Sequence, residues 1–538
     1  MDYFDFHTHI VFKQVFAEHP NINSYLTSKD VSTIPDLCSD LSNILASQIH
    51  QAELANLGGG VITGAVLYGL ESYIADTVKG MTKLLKPGSR HKLDVKLLVN
   101  IANNTERAFT DFTMNRTLQR YLDATETFHV LKTEDFEDGK MPHKVNVFFV
   151  VEGCHSLVDS VNKYDGVTRF PPDEILANLA ILCNKVPVIS VNPTHMQQSN
   201  LCNHAFGMQM AKPDPFFPRE SGLTADGRKV IQGLFNKGIC PDLKHMSVKS
   251  RRDLITDVKA NFYDNPQPLL CTHAAFTGIY FRDWTKLISK KEVVLNEDGQ
   301  PDAYYLEIAK SKQIRFGGQE KDFNPAFNTS TINLFDEEIE EIIKSGGVIG
   351  LSMDRRILGY LDYLDDSFDD FLDENALVVD KEYFSPKEWE DLGLDNKPIG
   401  NGINPLDCIK MGELPRSTDT NTSPSINDYY SNHVLLQIRH FLQVCHNAGD
   451  IAMEDAIQCI TIGSDFDGLI NPFFTTDAVV AMEKLKKYIL KKLKPFLMAH
   501  TDSAVWAGDF DVKGFCDKLF YTNGKEFILK RLKVQAAL

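Results

Sequence analysis

The chain opens Met1-Asp2-Tyr3-Phe4-Asp5-Phe6-His7-Thr8-His9. Tyr3–Phe6 has the aromatic character of a core strand. Along a strand residues i and i+2 share a face, so His7 and His9 aim together where the strand gives way to a loop. Two imidazoles on one face begin a divalent-metal site, yet a lone His-x-His pair serves equally well as two satisfied structural histidines. More ligands at comparable positions are needed to choose.

Outward from this start, short apolar runs recur at Val61–Val66, Val145–Val151, Val188–Val191, Pro241–Leu243, Pro268–Cys271, Gly347–Leu351 and Ala456–Ile462. Helical stretches such as Pro172–Leu182, Gly227–Lys237 and Asp336–Ser345 lie between them, the last ended by Gly346-Gly347. Apolar strands alternating with helices mark βα units about a parallel sheet, and about eight of them make a (β/α)8 TIM-like barrel. Residues 1–538 therefore read as one α/β barrel domain with long loop insertions.

Two segments break the rhythm. Residues 277–330 carry Glu292-Val293-Val294-Leu295, the turn Asn296-Glu297-Asp298-Gly299 and Ala303-Tyr304-Tyr305-Leu306, which predict a β-hairpin built into a loop. Residues 356–428 carry the acidic, aromatic stretch Tyr360–Asn375 and then Pro-, Gly- and Asn-rich sequence. Such an insertion serves as a lid, a homodimer contact or a plain surface elaboration.

Composition narrows the class. With 43% hydrophobic and 24% charged residues the chain is of the soluble globular type, and its net charge of −17 argues against a nucleic-acid partner. No run approaches the roughly 18 apolar residues of a membrane span, and the N-terminus lacks a basic region followed by an apolar signal core. Both features predict a cytoplasmic protein without a membrane partner. Ten cysteines without a CxxC pair read as reduced thiols, with Cys154, Cys271 and Cys459 as small buried groups.

The remaining ligand candidates stand where apolar runs end. Phe148-Phe149-Val150-Val151 leads into Glu152, Asp242-Leu243-Lys244 into His245, Leu270-Cys271-Thr272 into His273, and Ile460–Ser464 into Asp465. Singly, each has a structural reading: a core histidine, a salt-bridged glutamate, a helix-capping aspartate. Jointly they occupy the C-terminal ends of barrel strands, where barrel enzymes build active sites. His7 and His9 suit one divalent ion, zinc by preference, and His245 and His273 a second, with Glu152 bridging. A metal pair of this kind activates a shared hydroxide and polarises a carbonyl. Asp465 then relays the proton to the leaving amine, and a neutral His195, in Asn192-Pro193-Thr194-His195, donates to the oxyanion.

Assembled, these residues resemble the membrane (renal-type) dipeptidases, peptidase family M19 of the amidohydrolase superfamily. The likeness extends to Gly58-Gly59-Gly60-Val61, Val151-Glu152-Gly153, Gly222-Leu223-Thr224 through Gly227, and Asp242-Leu243-Lys244-His245-Met246-Ser247. It continues through Thr272-His273, Gly346-Gly347-Val348, Gly463-Ser464-Asp465-Phe466-Asp467-Gly468 and a closing helix after Asn523-Gly524. The resemblance implies a two-zinc barrel that cleaves dipeptides. It carries the metal-ligand roles to His7, His9, Glu152, His245 and His273, the carbonyl-binding role to His195 and the proton-transfer role to Asp465 in preference to Asp467.

Three departures stand out. His9 replaces the aspartate of the family's His-x-Asp, which makes the site more cationic. Lys244 replaces a serine and, on a strand, would point away from the site. The arginine that clamps the substrate carboxylate, before an Asn-Leu pair, is Ile332 before Asn333-Leu334, and Arg282, Arg315, Arg355 and Arg356 all remain as substitutes. The alternatives are thus hydrolysis of an N-acyl amino acid, cyclic amide or lactone, or a non-catalytic metal-binding barrel.

Overall fold

Each long apolar run forms a strand because both its faces are covered. In the computed structural model the strands in chain order are β1 (Tyr3–Thr8), β2 (Val61–Leu67), β3 (Phe128–Val130), β4 (Val145–Val151), β5 (Asn162–Tyr164), β6 (Val167–Arg169) and β7 (Val188–Val191). They continue with β8 (Cys240–Pro241), β9 (Cys271–Ala274), β10 (Ile288–Leu295), β11 (Pro301–Ala309), β12 (Ile349–Leu351), β13 (Val379–Phe384) and β14 (Ile460–Ile462). The structure describes residues 1–16, 49, 54, 57, 59–82, 94–137, 144–159, 162–164, 167–207, 213–310, 326–359, 377–400, 424–468, 470 and 478–538.

β4 shows how period-two alternation works here. All seven of its residues are buried, with Val145, Val147, Phe149 and Val151 in one hydrophobic cluster and Phe148 and Val150 in another. Parallel pairing runs β1-β2-β4-β7-β8 in one arc, with β3 alongside the start of β4, and β14-β12-β9 in a second arc. Single parallel bridges link the arcs at both ends, Asp242 to Leu270 and Thr8 to Phe466. The fold is mixed α/β around a curled parallel sheet. The closing helix, Asn523–Ala537, is pinned to the sheet by Asn523, whose amide donates to the carbonyls of Ile457 and Ile460 at 2.7 Å.

Strand boundaries differ from those read in the sequence. Ala456 belongs to the short helix Met453–Ala456, whose first turn carries Glu454 and Asp455 against the positive helix end, so extended backbone begins only at Ile460. β8 is cut to two residues because the chain turns after Pro241 to present His245. The predicted helices form at Pro172–Cys183, Ala225–Phe235 and Asp336–Lys344. Cys154 and Cys271 are buried free thiols, and Cys459 is half-buried. Among the described residues no helix is long and apolar enough to cross a membrane.

The predicted hairpin is β10–β11, antiparallel, with Asn296 Oδ1 accepting the amides of Asp298 and Gln300 and Gly299 in the left-handed region at φ +74°. β13, from the second insertion, pairs antiparallel with β11, so the two insertions share one sheet. That sheet closes over Trp284, Phe335 and Trp389. The acidic stretch Tyr360–Asn375 lies outside the described residues.

Glu382 on β13 makes this sheet pH-sensitive. Its carboxylate is buried and accepts the Thr331 amide at 3.0 Å and the Thr331 hydroxyl. Burial, helped by Asp380 and opposed by those hydrogen bonds and by Arg251, pushes it from 4.5 up to about 8. An acid that holds its proton more tightly when folded contributes stability that is complete below its ordinary value and lost as pH rises through the folded value. Glu382→Gln should therefore flatten a loss of about 1.4 kcal/mol per pH unit between about pH 5 and 8, read as Tm against pH. Superimposable profiles would mean that Glu382 ionises at its ordinary pH in the folded protein.

Candidate metal centre

All seven candidate site residues lie at or just beyond the C-terminal ends of parallel strands. His7 and His273 lie within β1 and β9, Glu152 directly follows β4, and His9, His195, His245 and Asp465 stand in the loops after β1, β7, β8 and β14. His245 (φ +67°), Asp465 (φ +63°) and Asp467 (φ +67°) adopt the left-handed region that disfavours side chains, a cost of about 1–2 kcal/mol each. Strain of this kind collects where geometry serves a site. Gly468 is required beside them, since a Cβ there would lie 2.0 Å from Asp465 Oδ1.

The side chains converge on Glu152. Its Oε1 is 3.4 Å from His7 Nε2, 3.3 Å from His245 Nε2 and 3.5 Å from His273 Nε2, and its Oε2 is 3.3 Å from His9 Nε2. Asp465 Oδ1 lies 3.3 Å from His9 Nε2 and 3.8 Å from His7 Nε2. All are buried, Asp465 least so. Asp467, by contrast, is taken up in a buried ion pair with Lys13 at 2.9 Å.

This donor set fits divalent metal. Zinc bonds of about 2.0–2.2 Å at tetrahedral angles place neighbouring donor atoms roughly 3.3–3.5 Å apart, the spacing found around Glu152. His7 Nε2, His9 Nε2 and Asp465 Oδ1 are buried without a hydrogen-bond partner among the described residues, an expensive condition unless a cation meets them. His245 and His273 also face each other Nε2 to Nε2 at 3.1 Å. Burial pushes His245 down to about 3 and His273 well below its ordinary value, so both are neutral ligands. His9 is the exception. Burial acts against its charge, but Asp465 and Glu152 hold it up at about 9 in the absence of a competing cation.

His195 is oriented by Glu71, which no motif in the sequence marks. Glu71 Oε1 accepts from His195 Nδ1 at 2.6 Å, and its other oxygen takes the Tyr68 hydroxyl. Despite burial, contacts with His195 and His155 hold Glu71 down at about 2. An ionised Glu71 fixes the Nδ1 proton, so the neutral imidazole expected from the sequence has no proton at Nε2 to donate. Burial lowers His195 but Glu71 and Glu152 outweigh it and raise it, favouring the imidazolium that carries both protons. Glu71 lies in the loop past the end of β2, not directly at the strand end as Glu152 is, and its contact with His195 is what assigns it a part.

A pocket opens on the centre, lined by Tyr68, Glu152, His195, Lys244, Ile332, Asp354, Arg356 and Asp465 among others. Lys244 does not point away. The chain has left the strand by residue 242, so alternation no longer governs its direction. Its side chain is buried and its ammonium has no hydrogen-bond partner among the described residues. Of the candidate arginines, Arg356 lines the pocket in a pair with Asp354 at 3.0 Å, whereas Arg282 is exposed over Tyr280. Arg315 lies outside the described residues.

No protein-family model matches the chain, and no curated protein does. Solved structures distantly similar to the chain include the following three. One is a metallo peptidase from Rhodobacter sphaeroides liganded with a phosphinate mimic of the dipeptide L-Ala-D-Ala, at 13% identity and TM-score 0.45, with 99% of each chain covered. Another is the dipeptidase AC, a metallo peptidase of family M19, at 13% identity and TM-score 0.43, covering 99% of this chain and 98% of that one. The third is an amidohydrolase from Pseudomonas aeruginosa, at 12% identity and TM-score 0.38, covering 90% of this chain and 92% of that one. At such identity the chemistry of this chain rests on its own geometry.

Proposed function

We propose that the chain is a metal-dependent hydrolase of the M19 dipeptidase type, cleaving an amide or peptide bond in a small carboxylate-bearing substrate. The observation that carries this reading is the convergence of four buried imidazole Nε2 atoms on Glu152 at 3.3–3.5 Å. In it the two arcs and their bridges close as one (β/α)8 barrel domain spanning 1–538. His7 and His9 would hold one ion and His245 and His273 a second, with Glu152 within reach of both pairs, zinc being suited to so nitrogen-rich a set. When bound, the ions acidify a shared water and polarise the scissile carbonyl.

The chain's own residues do the rest. Asp465 takes the proton released on attack and returns it to the leaving nitrogen, while its position beside His9 keeps it at the reacting centre. His195, its ring fixed by Glu71, donates from Nε2 as charge develops on the carbonyl oxygen. Apart from Glu152 and Asp465, which face the imidazoles of the centre, the lining carries Lys244 and Arg356 against the carboxylate of Asp354, which supports a substrate with an anionic end. That charge favours a dipeptide or an N-acyl amino acid over a neutral lactone. Ile332, apolar within the lining, is the feature that favours the N-acyl reading as second choice.

Turnover of L,L- and L,D-dipeptides, N-acyl amino acids, cyclic amides and lactones by the zinc-loaded protein tests the proposal. Dipeptides should be the best substrates. No turnover of any of them by protein with metal bound would contradict the hydrolase reading. Lys244→Met should raise KM for a carboxylate-bearing substrate about 10- to 100-fold, the worth of a charge-assisted hydrogen bond, and leave its C-terminal amide within about twofold. Equal changes for acid and amide would reduce Lys244 to a packing role.

A further inference from the structure

A threonine hydroxyl has one proton to give and two lone pairs to receive with. Thr272 Oγ1, buried on β9, has three polar neighbours: Asp242 Oδ2 at 2.5 Å, His7 Nδ1 at 3.0 Å and His273 Nδ1 at 3.0 Å. Asp242 is wholly buried, and its other oxygen, Oδ1, accepts the amides of Lys244 at 3.0 Å and Thr272 at 3.2 Å. A carboxylate only accepts, so the hydroxyl proton goes to Asp242. The two hydroxyl lone pairs then receive N–H from both rings. His7 and His273 are thereby locked as Nδ1–H tautomers, each with its Nε2 lone pair turned to Glu152.

The other two imidazoles have no such support. His9 Nδ1 and His245 Nδ1 are both buried without a hydrogen-bond partner among the described residues. Each half of the centre thus contains one imidazole oriented from behind and one that is not. The oriented ring in each half depends on the same hydroxyl.

We propose that Thr272 and Asp242, though not ligands, are a positioning pair that sets the tautomer of one imidazole in each half of the metal centre, so that both metal positions strengthen or weaken together. The inference rests on the two-metal reading above. It makes Thr272 a coupling element between ligands drawn from strands on different arcs. Outer partners of metal-bound histidines raise ligand basicity and fix ring orientation, and their loss costs about 10- to 100-fold in metal affinity.

The test is calorimetric titration of zinc into the metal-free full-length protein, its Thr272→Val, Thr272→Ser and Asp242→Asn variants, with thermal unfolding of each to confirm folding. Thr272→Val, equal in shape but without the hydroxyl, should lose about 10- to 100-fold in affinity at both positions, and cobalt-loaded protein should show an altered visible spectrum. Thr272→Ser should restore both. Asp242→Asn offers an N–H to the hydroxyl, turns the hydroxyl proton onto one ring, and should weaken at least one position about tenfold or more. It remains informative if the valine variant does not fold. Wild-type affinity at both positions in Thr272→Val and Asp242→Asn, or loss at only one position in Thr272→Val, overturns the coupling. Failure of the wild-type protein to bind any divalent ion instead overturns the two-metal reading itself.

Discussion

Replacing Glu152 by Gln should strip the protein of both ions and take hydrolysis below detection. The two side chains have the same shape, but the glutamine is uncharged and one of its terminal atoms becomes an N–H donor that cannot ligate. Four imidazole nitrogens now within 3.5 Å of a carboxylate would then share a neutral amide. The loss of affinity should exceed the roughly 10- to 100-fold of an outer-shell change, because the bridging group itself is gone. Elemental analysis after purification without chelator reads the result directly. Two equivalents of metal retained in Glu152→Gln would show that the histidines hold the ions without it.

Asp465→Asn should have the second-largest effect and a different signature. Asparagine tolerates the left-handed backbone that Asp465 adopts at φ +63°, and its amide oxygen can still face His9. Metal content should therefore remain near wild type. What disappears is the group that accepts and returns a proton, and kcat should fall about 10²- to 10⁴-fold. A fully active variant would remove Asp465 from the chemistry. Loss of metal with the activity would make it a ligand of the His7–His9 half instead of the proton carrier.

These two positions also mark how far residues alone carried the reading. The eight strands were legible because strands covered on both faces read as unbroken apolar runs, as Val145–Val151 does. The ligands were legible because each breaks such a run at its end, where an unpaired polar group would be costly. The parts played by Lys244, Glu71 and Thr272 were not. Lys244 was placed by alternation, but the backbone turns at His245 and carries Lys244 into the pocket wall. Glu71 lies a few residues past β2 with no motif around it, and only its contact with His195 assigns it a part. Thr272 sits beside His273 in Leu270-Cys271-Thr272-His273, yet its role depends on His7 from β1 and Asp242 from just past β8, a relation that spacing along the chain does not encode.

The insertions show the same limit from another side. The β10–β11 hairpin was readable from its Asn-Glu-Asp-Gly turn, since turn chemistry is local. β13 was not, because Val379-Asp380-Lys381-Glu382-Tyr383-Phe384 alternates weakly and becomes a strand only by pairing with β11. Its buried Glu382 is legible only once that pairing exists.

The central claim is a two-metal centre gathered by Glu152, and anomalous diffraction at the zinc edge from crystals of the zinc-loaded protein tests it most directly. Two peaks should appear roughly 3.5–4 Å apart beside Glu152, one at His7 and His9 and one at His245 and His273. No peak within reach of Glu152, or a single peak bound by residues outside this set, would contradict the account.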